Sequence, residues 1–212
     1  MLTEGRAMFL FRSAHNLYLL GNAFILGLFA SPQSVGYYAG AEKINSAAVN
    51  LLSPMTTALY PRAVGLVKTS LPRAARLTVV SLYVMCGSGL LLALVMWFGS
   101  TPLVRIILGQ QFLASASALK VLSLRAPMVA WINVLGFQWL LALDLEKSFQ
   151  QITVVALCMN IVLATILAPR YTFNGMAWAV VISQAAAVVG IYMVLRRRKL
   201  NPFVKTADPS YV

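Results

Sequence analysis

The chain has 212 residues, 60% of them hydrophobic and only 10% charged, and its 17 Lys and Arg against 5 Asp and Glu give a net charge of +12. An ordinary soluble domain carries roughly 25% charge, so this composition, with a mean hydropathy of +0.79, excludes a soluble enzyme and points to a membrane. At about 20 residues per span, the length fits one bundle of six helices and excludes a two-lobed transporter in a single chain.

Six apolar runs are predicted as transmembrane helices, over residues 7–29, 44–64, 77–98, 121–143, 152–168 and 175–195. They form one all-α polytopic lobe over 1–200, followed by a short cytoplasmic tail, 201–212. In the first run, polar residues share a face. At about 100° per residue, Arg12, His15, Asn16 and Asn22 lie within about 120° of one another. A buried Arg costs roughly 2.5–3.5 kcal/mol on insertion scales, so it faces a bundle interior or a watery cavity unless it snorkels to the headgroups.

Ser31-Pro32 ends this run. Gly36-Tyr-Tyr-Ala-Gly40 then has the small-residue spacing that lets helices approach. Around the second run, Glu42, Asn45, Ser46, Asn50, Ser53, Thr56, Thr57 and Tyr60 make a polar stripe about 140° wide. Pro54 sits in the middle of the stripe, where it frees a carbonyl and can act as a hinge. A cavity lining explains so long a stripe better than packing hydrogen bonds alone, although Glu42-Lys43 can also be read as an interfacial pair.

Leu71-Pro72 marks a basic turn before the third run. The longest connection, 100–117, is too broken to span and is expected to hold a short interfacial helix. The fourth run carries Arg125, two residues before Pro127, with Asn133 and Gln138. Thr153 and Asn160 share a face of the fifth, Pro169 closes it, and Asn174-Gly175 opens the sixth. The basic run at 196–199 ends the last helix.

Six spans place both termini on one side, and twelve of the seventeen basic residues fall there. The other side holds Lys43, Arg105, Lys120, Arg125 and Arg170. The positive-inside bias then puts both termini in the cytoplasm. Apolar runs of this length between the basic residues exclude a nucleic-acid binder. Cys86 and Cys158 lie inside apolar runs and imply no disulfide framework. One histidine, no paired carboxylates on one face, no metal-ligand spacing, no phosphate-binding loop and no nucleophile elbow leave no catalytic centre, metal or cofactor to expect. The chain therefore reads as a transporter component and not an enzyme.

The opening LTEGRAMFLFRSAHNLYLLGNAFILGLFASPQSVGYYAGAEKI, followed by LLSPMTTALYPR, resembles the oligosaccharide flippases of polysaccharide biosynthesis. These are the Wzx-type branch of the MOP superfamily, which also holds the MATE drug exporters and the lipid II flippases. ILGQQF followed by SALKVLSL is similar to a later connection and helix of that family. The resemblance implies a MATE-like architecture of about twelve helices in two lobes, of which this chain matches the carboxy-terminal lobe. It implies a bacterial inner-membrane protein that moves an undecaprenyl-diphosphate-linked oligosaccharide between leaflets, and a missing N-terminal lobe or second copy as partner.

Within the resemblance, Arg12, Arg62 and Arg125 are candidates for the diphosphate, because guanidinium matches phosphate geometry. Asn16, Asn22, Asn45, Asn50 and Tyr60 are candidates for sugar hydroxyls, and Glu42 or His15 for proton coupling. A lobe of a drug/cation antiporter, and a non-transporting fragment or scaffold, are the competing readings. The antiporter would want an acidic cavity, and the stripes hold a single carboxylate.

Overall fold

The structure is a computed structural model, and it describes residues 21–198, 200 and 202. Among these residues it is helical throughout, without a strand. A first helical segment, α1, covers 21–29. Ser31 then caps α2 (Pro32–Asn50), its Oγ accepting from the Ser34 amide at 3.3 Å, with Pro32 in the first turn where a missing N–H costs nothing. The predicted second run, 44–64, therefore lies within a longer helical stretch that begins at residue 32.

The hydrogen-bond ladder of that stretch changes register between α2 and α3 (Ser53–Thr69). Leu51 and Leu52 keep right-handed helical backbone angles, but their amides bond three residues back, to the Ala48 and Val49 carbonyls. Pro54 has no N–H to offer the Asn50 carbonyl, so the regular ladder is interrupted just there.

A sharp turn at Ser70 leads into α4 (Leu71–Phe98), followed by the short α5 (Ser100–Ile107). Gly109, at φ 91°, takes a conformation only glycine adopts without cost and turns the chain away from α5. Next come α6 (Ser115–Ser123), α7 (Arg125–Trp131) and a wide-turned π stretch (Ile132–Leu140), which run on as one rod. The expected short helix of the 100–117 connection is α5.

The final helical run, α8 (Glu146–Arg197), spans 52 residues but is not one rod. Thr172, at φ 51° and ψ −128°, breaks it. Asn160 Nδ2 lies 3.4 Å from Ser183 Oγ, and a Cβ added at Gly190 would lie 3.0 Å from Ile152 Cγ2. In a straight helix, residues 160 and 183 would be roughly 34 Å apart at 1.5 Å per residue. The run is therefore a hairpin with two antiparallel arms, joined near the predicted Pro169 and Asn174-Gly175 boundary.

Contacts across the bundle fix the remaining directions. Gly89 of α4 meets the backbone of Ala126 and Pro127 in α7, Thr56 of α3 meets Met85, and Tyr60 stacks against Phe137 at 5.1 Å. Residues 29–32, 98–117 and 171–174 gather at one end, where Tyr37 packs edge-on against Phe112 and Phe173. Residues 69–71, 141–146, 195–198 and 200 gather at the other, where Trp139 Nε1 donates to the Leu200 carbonyl at 2.9 Å. Each end has its own apolar core. One is built around Tyr38, Leu119, Leu122 and Met176, the other around Met85, Leu135, Trp139 and Ile191.

Three stretches are long and apolar enough to cross a membrane: Leu71–Phe98, Ser115–Leu140 and the Glu146–Arg197 run that folds into the hairpin. Their outward faces carry Leu90, Leu91, Phe98, Val155, Val162 and Met193, all exposed. Apolar side chains turned outward are what hydrocarbon accepts.

Candidate functional site

The α2–α3 stretch breaks this pattern. Its exposed positions include Lys43, Asn50, Ser53 and Thr57, which recur at helical spacing along one side, and Arg62 on another face of α3. Beneath them lies a charged pair. Arg125 Nη1 donates to both carboxylate oxygens of Glu42, at 2.7 and 3.0 Å, across 83 residues of sequence. Both residues are buried, at 7% and 9% exposure.

The neighbours complete a network. Ser46 Oγ donates to Glu42 Oε1 at 3.0 Å from one turn further along α2. Asn45 is fully buried, and its amide, oriented by the surrounding donors and acceptors, donates to the Leu122 carbonyl at 2.9 Å and accepts from Arg125 Nη1 at 3.2 Å. Taking two charges out of water costs several kcal/mol per ion, which is offset only when geometry and further hydrogen bonds are good. The Ser46 and Asn45 contacts supply such bonds.

Local sequence places Arg125 where it can reach. Pro127 cannot donate to the Ser123 carbonyl, the Leu124 amide bonds back to Val121 at 3.2 Å, and the rod steps at Leu124, one residue before the arginine. Gly89 lets α4 approach this step closely, since a Cβ there would lie 2.8 Å from the Ala126 carbonyl oxygen. Gly40, on the opposite side, leaves room for Leu108 from the α5 connection. The small-residue pair of α2 thus receives side chains from that connection.

Above the pair opens a groove of about 430 Å³, lined by Ala23 of α1 and by Tyr38, Glu42, Lys43, Ser46 and Asn50 of α2. Of the expected site residues, Glu42 and Asn50 line it directly. Arg125 and Asn45 lie behind its wall, tied to Glu42. Asn22 is buried at 2% exposure, and its Oδ1 has no hydrogen-bond partner among the described residues. Tyr60 is half-buried against Phe137, Arg62 is exposed on α3, Pro54 is exposed in its first turn, and none of these three lines the groove. Arg12, His15 and Asn16 lie outside the described residues.

Two things differ from the sequence reading. Glu42 and Arg125, expected to act separately on proton and cargo, are partners. Lys43, counted only as a basic residue and as a possible interfacial partner of Glu42, faces the groove. Adjacent residues on a helix do not face each other, and Glu42 turns inward to Arg125 while Lys43 turns out. A second polar contact, Asn160 with Ser183, links the two hairpin arms. Among the described residues no cluster of three or more His, Cys, Asp or Glu could hold a metal ion.

These features define an all-α, multi-pass membrane protein with a polar network inside its bundle. Residues 1–67 match the family described as "Polysaccharide biosynthesis protein", the stretch that includes α1, α2 and most of α3. Over 199 residues the chain is 28% identical to an Escherichia coli (strain K12) protein named "Putative O-antigen transporter". That alignment covers 94% of this chain and 48% of the relative, so the chain spans about half the length of the curated relative it matches. No solved structure matches. The resemblance to the polysaccharide flippases read from the opening residues is borne out.

Proposed function

We propose that the chain is one lobe of a flippase that carries an undecaprenyl-diphosphate-linked oligosaccharide from the cytoplasmic to the periplasmic leaflet of a bacterial inner membrane, for surface polysaccharide assembly. The observation that carries this reading is a groove on α2 that holds Lys43 and Asn50 among small apolar residues and is backed by the buried Glu42–Arg125 pair, with α2 inside the segment that matches the polysaccharide biosynthesis family. The lobe binds and moves its cargo without making or breaking bonds, and uses no cofactor. A second lobe, on another chain or a second copy, faces α2 and α3 and completes the cavity.

Roles follow from the groove. Asn50 supplies hydrogen bonds to sugar hydroxyls on the open side. The Glu42–Arg125 pair holds the wall in register, and Asn45 and Ser46 lock it. Arg12, Asn16, Asn22, Tyr60, Arg62 and His15 remain candidates for cargo or proton contacts elsewhere along the path, and Pro54 for the hinge. Both termini, with Arg196, Arg197 and Arg198, lie on the cytoplasmic side. An antiporter for hydrophobic cations is disfavoured because the groove's carboxylate is already bound to Arg125.

Deletion of the gene in its source organism tests the reading. Surface polysaccharide is expected to be lost and lipid-linked oligosaccharide to accumulate on the cytoplasmic leaflet, with both restored by the gene on a plasmid. Unchanged polysaccharide in the deletion strain overturns the proposal.

A further inference from the structure

We infer that the outward face of α4, at the end of the bundle where α3 turns into it, is a binding site for an anionic phospholipid. The lipid phosphate sits on Arg73 and Arg76, and the acyl chains lie along the apolar residues that follow. This inference does not rest on the flippase reading; it needs only that α4 crosses a membrane, as its length and apolarity allow. At about 100° per residue, Arg73, Arg76, Val80, Tyr83, Val84 and Gly87 fall within about 100° of one another, and all six are exposed. One stripe therefore runs from two guanidiniums through a phenol to bare apolar surface, which is the order of groups along a phospholipid.

The charge at the head of the stripe has nothing in the chain to balance it. Arg73 and Arg76 are one turn apart, close enough for both to donate to one phosphate. Lys68, exposed in the last turn of α3, stands just across the sharp turn at Ser70. Among the described residues the one ion pair is Glu42–Arg125, so none of these three cations meets a carboxylate. Asp144 and Glu146 lie at the same end of the bundle and pair with none of them. Cations so close in sequence repel one another, and an anion seated among them turns that repulsion into attraction.

Depth orders the rest of the stripe. The Cβ bonds of a helix tilt toward its N-terminus, so these side chains lean toward the Leu71 end. Arg76 is five residues from that end, roughly 8 Å, and its side chain covers most of the distance to the headgroups. Tyr83 is seven residues deeper, roughly 10 Å, and leans back toward the arginines. It is 70% exposed, and its hydroxyl has no partner among the described residues. A phenol facing hydrocarbon needs an acceptor, and the acyl esters, one step below the phosphate in a lipid, are the acceptors at that level. Further in, a Cβ added at Gly87 would meet nothing within 4 Å. The missing side chain leaves a shallow dent between the exposed Val84 and Leu91, in which an acyl chain can lie.

Native mass spectrometry of the full chain in detergent, titrated with phosphatidylglycerol, tests the site. Wild type is expected to hold one phosphatidylglycerol at least about tenfold more tightly than phosphatidylcholine of the same chains. Arg73→Gln with Arg76→Gln is expected to remove that preference. Arg196→Gln with Arg197→Gln takes the same charge from the same end, but from α8, which packs against α2, α6 and α7; this variant is expected to keep the preference within about threefold. Gly87→Leu fills the dent with every charge in place and is expected to weaken phosphatidylglycerol at least about threefold. Glycerol 3-phosphate, a headgroup without chains, is expected not to displace the lipid. All the substituted positions are exposed, and a melting curve in detergent checks that each variant is folded. Equal affinity of wild type for the two lipids, or equal loss of the preference in both double variants, overturns the site. Displacement by glycerol 3-phosphate overturns the choice of a lipid as ligand, and unchanged binding in Gly87→Leu overturns the seating of its chains. None of these outcomes depends on whether gene deletion removes surface polysaccharide, so the lipid site and the flippase reading stand or fall separately.

Discussion

The carboxylate of Glu42 and the guanidinium of Arg125 meet at 2.7 Å inside the bundle and join α2 to α7 across 83 residues of sequence. The pair sets the most direct prediction. Removing one partner strands the other charge in a buried site, at a cost of about 3–5 kcal/mol. Arg125→Ala and Glu42→Ala are each expected to lower the melting temperature in detergent markedly. The exchanged double variant, Glu42→Arg with Arg125→Glu, is expected to recover much of the loss. Single variants as stable as wild type would show that the pair does not hold the wall.

The hairpin in α8 makes a geometric prediction. With native Cys86 and Cys158 changed to Ser, Asn160→Cys and Ser183→Cys are expected to form a disulfide on mild oxidation, read as a mobility shift after proteolysis between them. A straight helix would hold these positions roughly 34 Å apart, far beyond the reach of any disulfide. Failure of that pair to cross-link would contradict the antiparallel arms.

The hairpin turn carries backbone strain, because Thr172 takes φ 51° and a β-branched residue there costs about 1–3 kcal/mol. Thr172→Gly is expected to raise thermal stability. Gly175→Ala is expected to lower it, because the new methyl would run into the Leu167 carbonyl. The two substitutions should therefore move the melting temperature in opposite directions.

Gly89 predicts a packing cost at the α4–α7 crossing. An added methyl would meet backbone atoms, the Ala126 oxygen at 2.8 Å and Pro127 Cα at 3.0 Å, which cannot rotate away. Gly89→Ala is expected to destabilise by about 1–3 kcal/mol. Gly87→Ala, two residues away in open space, is expected to leave the melting temperature unchanged.

Hydropathy locates the chain segments that suit hydrocarbon, so α4 and the hairpin were legible in sequence, down to the turn near Pro169 and Asn174-Gly175. It does not mark where a helix continues. The start of α2 at Pro32 was hidden because residues 32–43 include two glycines, Glu42 and Lys43. The cap at Ser31 and the proline that follows it are local signals that act regardless of hydropathy. The stripe from Glu42 to Tyr60 was readable from 3.6-residue periodicity. Its inward partner was not, since only the packing of α7 against α2 decides that Arg125 meets Glu42. The same packing, by turning Glu42 inward, sets its helix neighbour Lys43 on the groove side.

The hairpin also constrains how the chain is made. Its two arms are joined by so few residues that no folded segment can pass between them on the far side of the bilayer. With the arms side by side, Asn160 and Ser183 shield one another's polar atoms from lipid, which neither could do on a lone helix. The triple arginine at 196–198 follows directly on the second arm, and three charges there resist being drawn into hydrocarbon, so they hold the arm at a fixed depth.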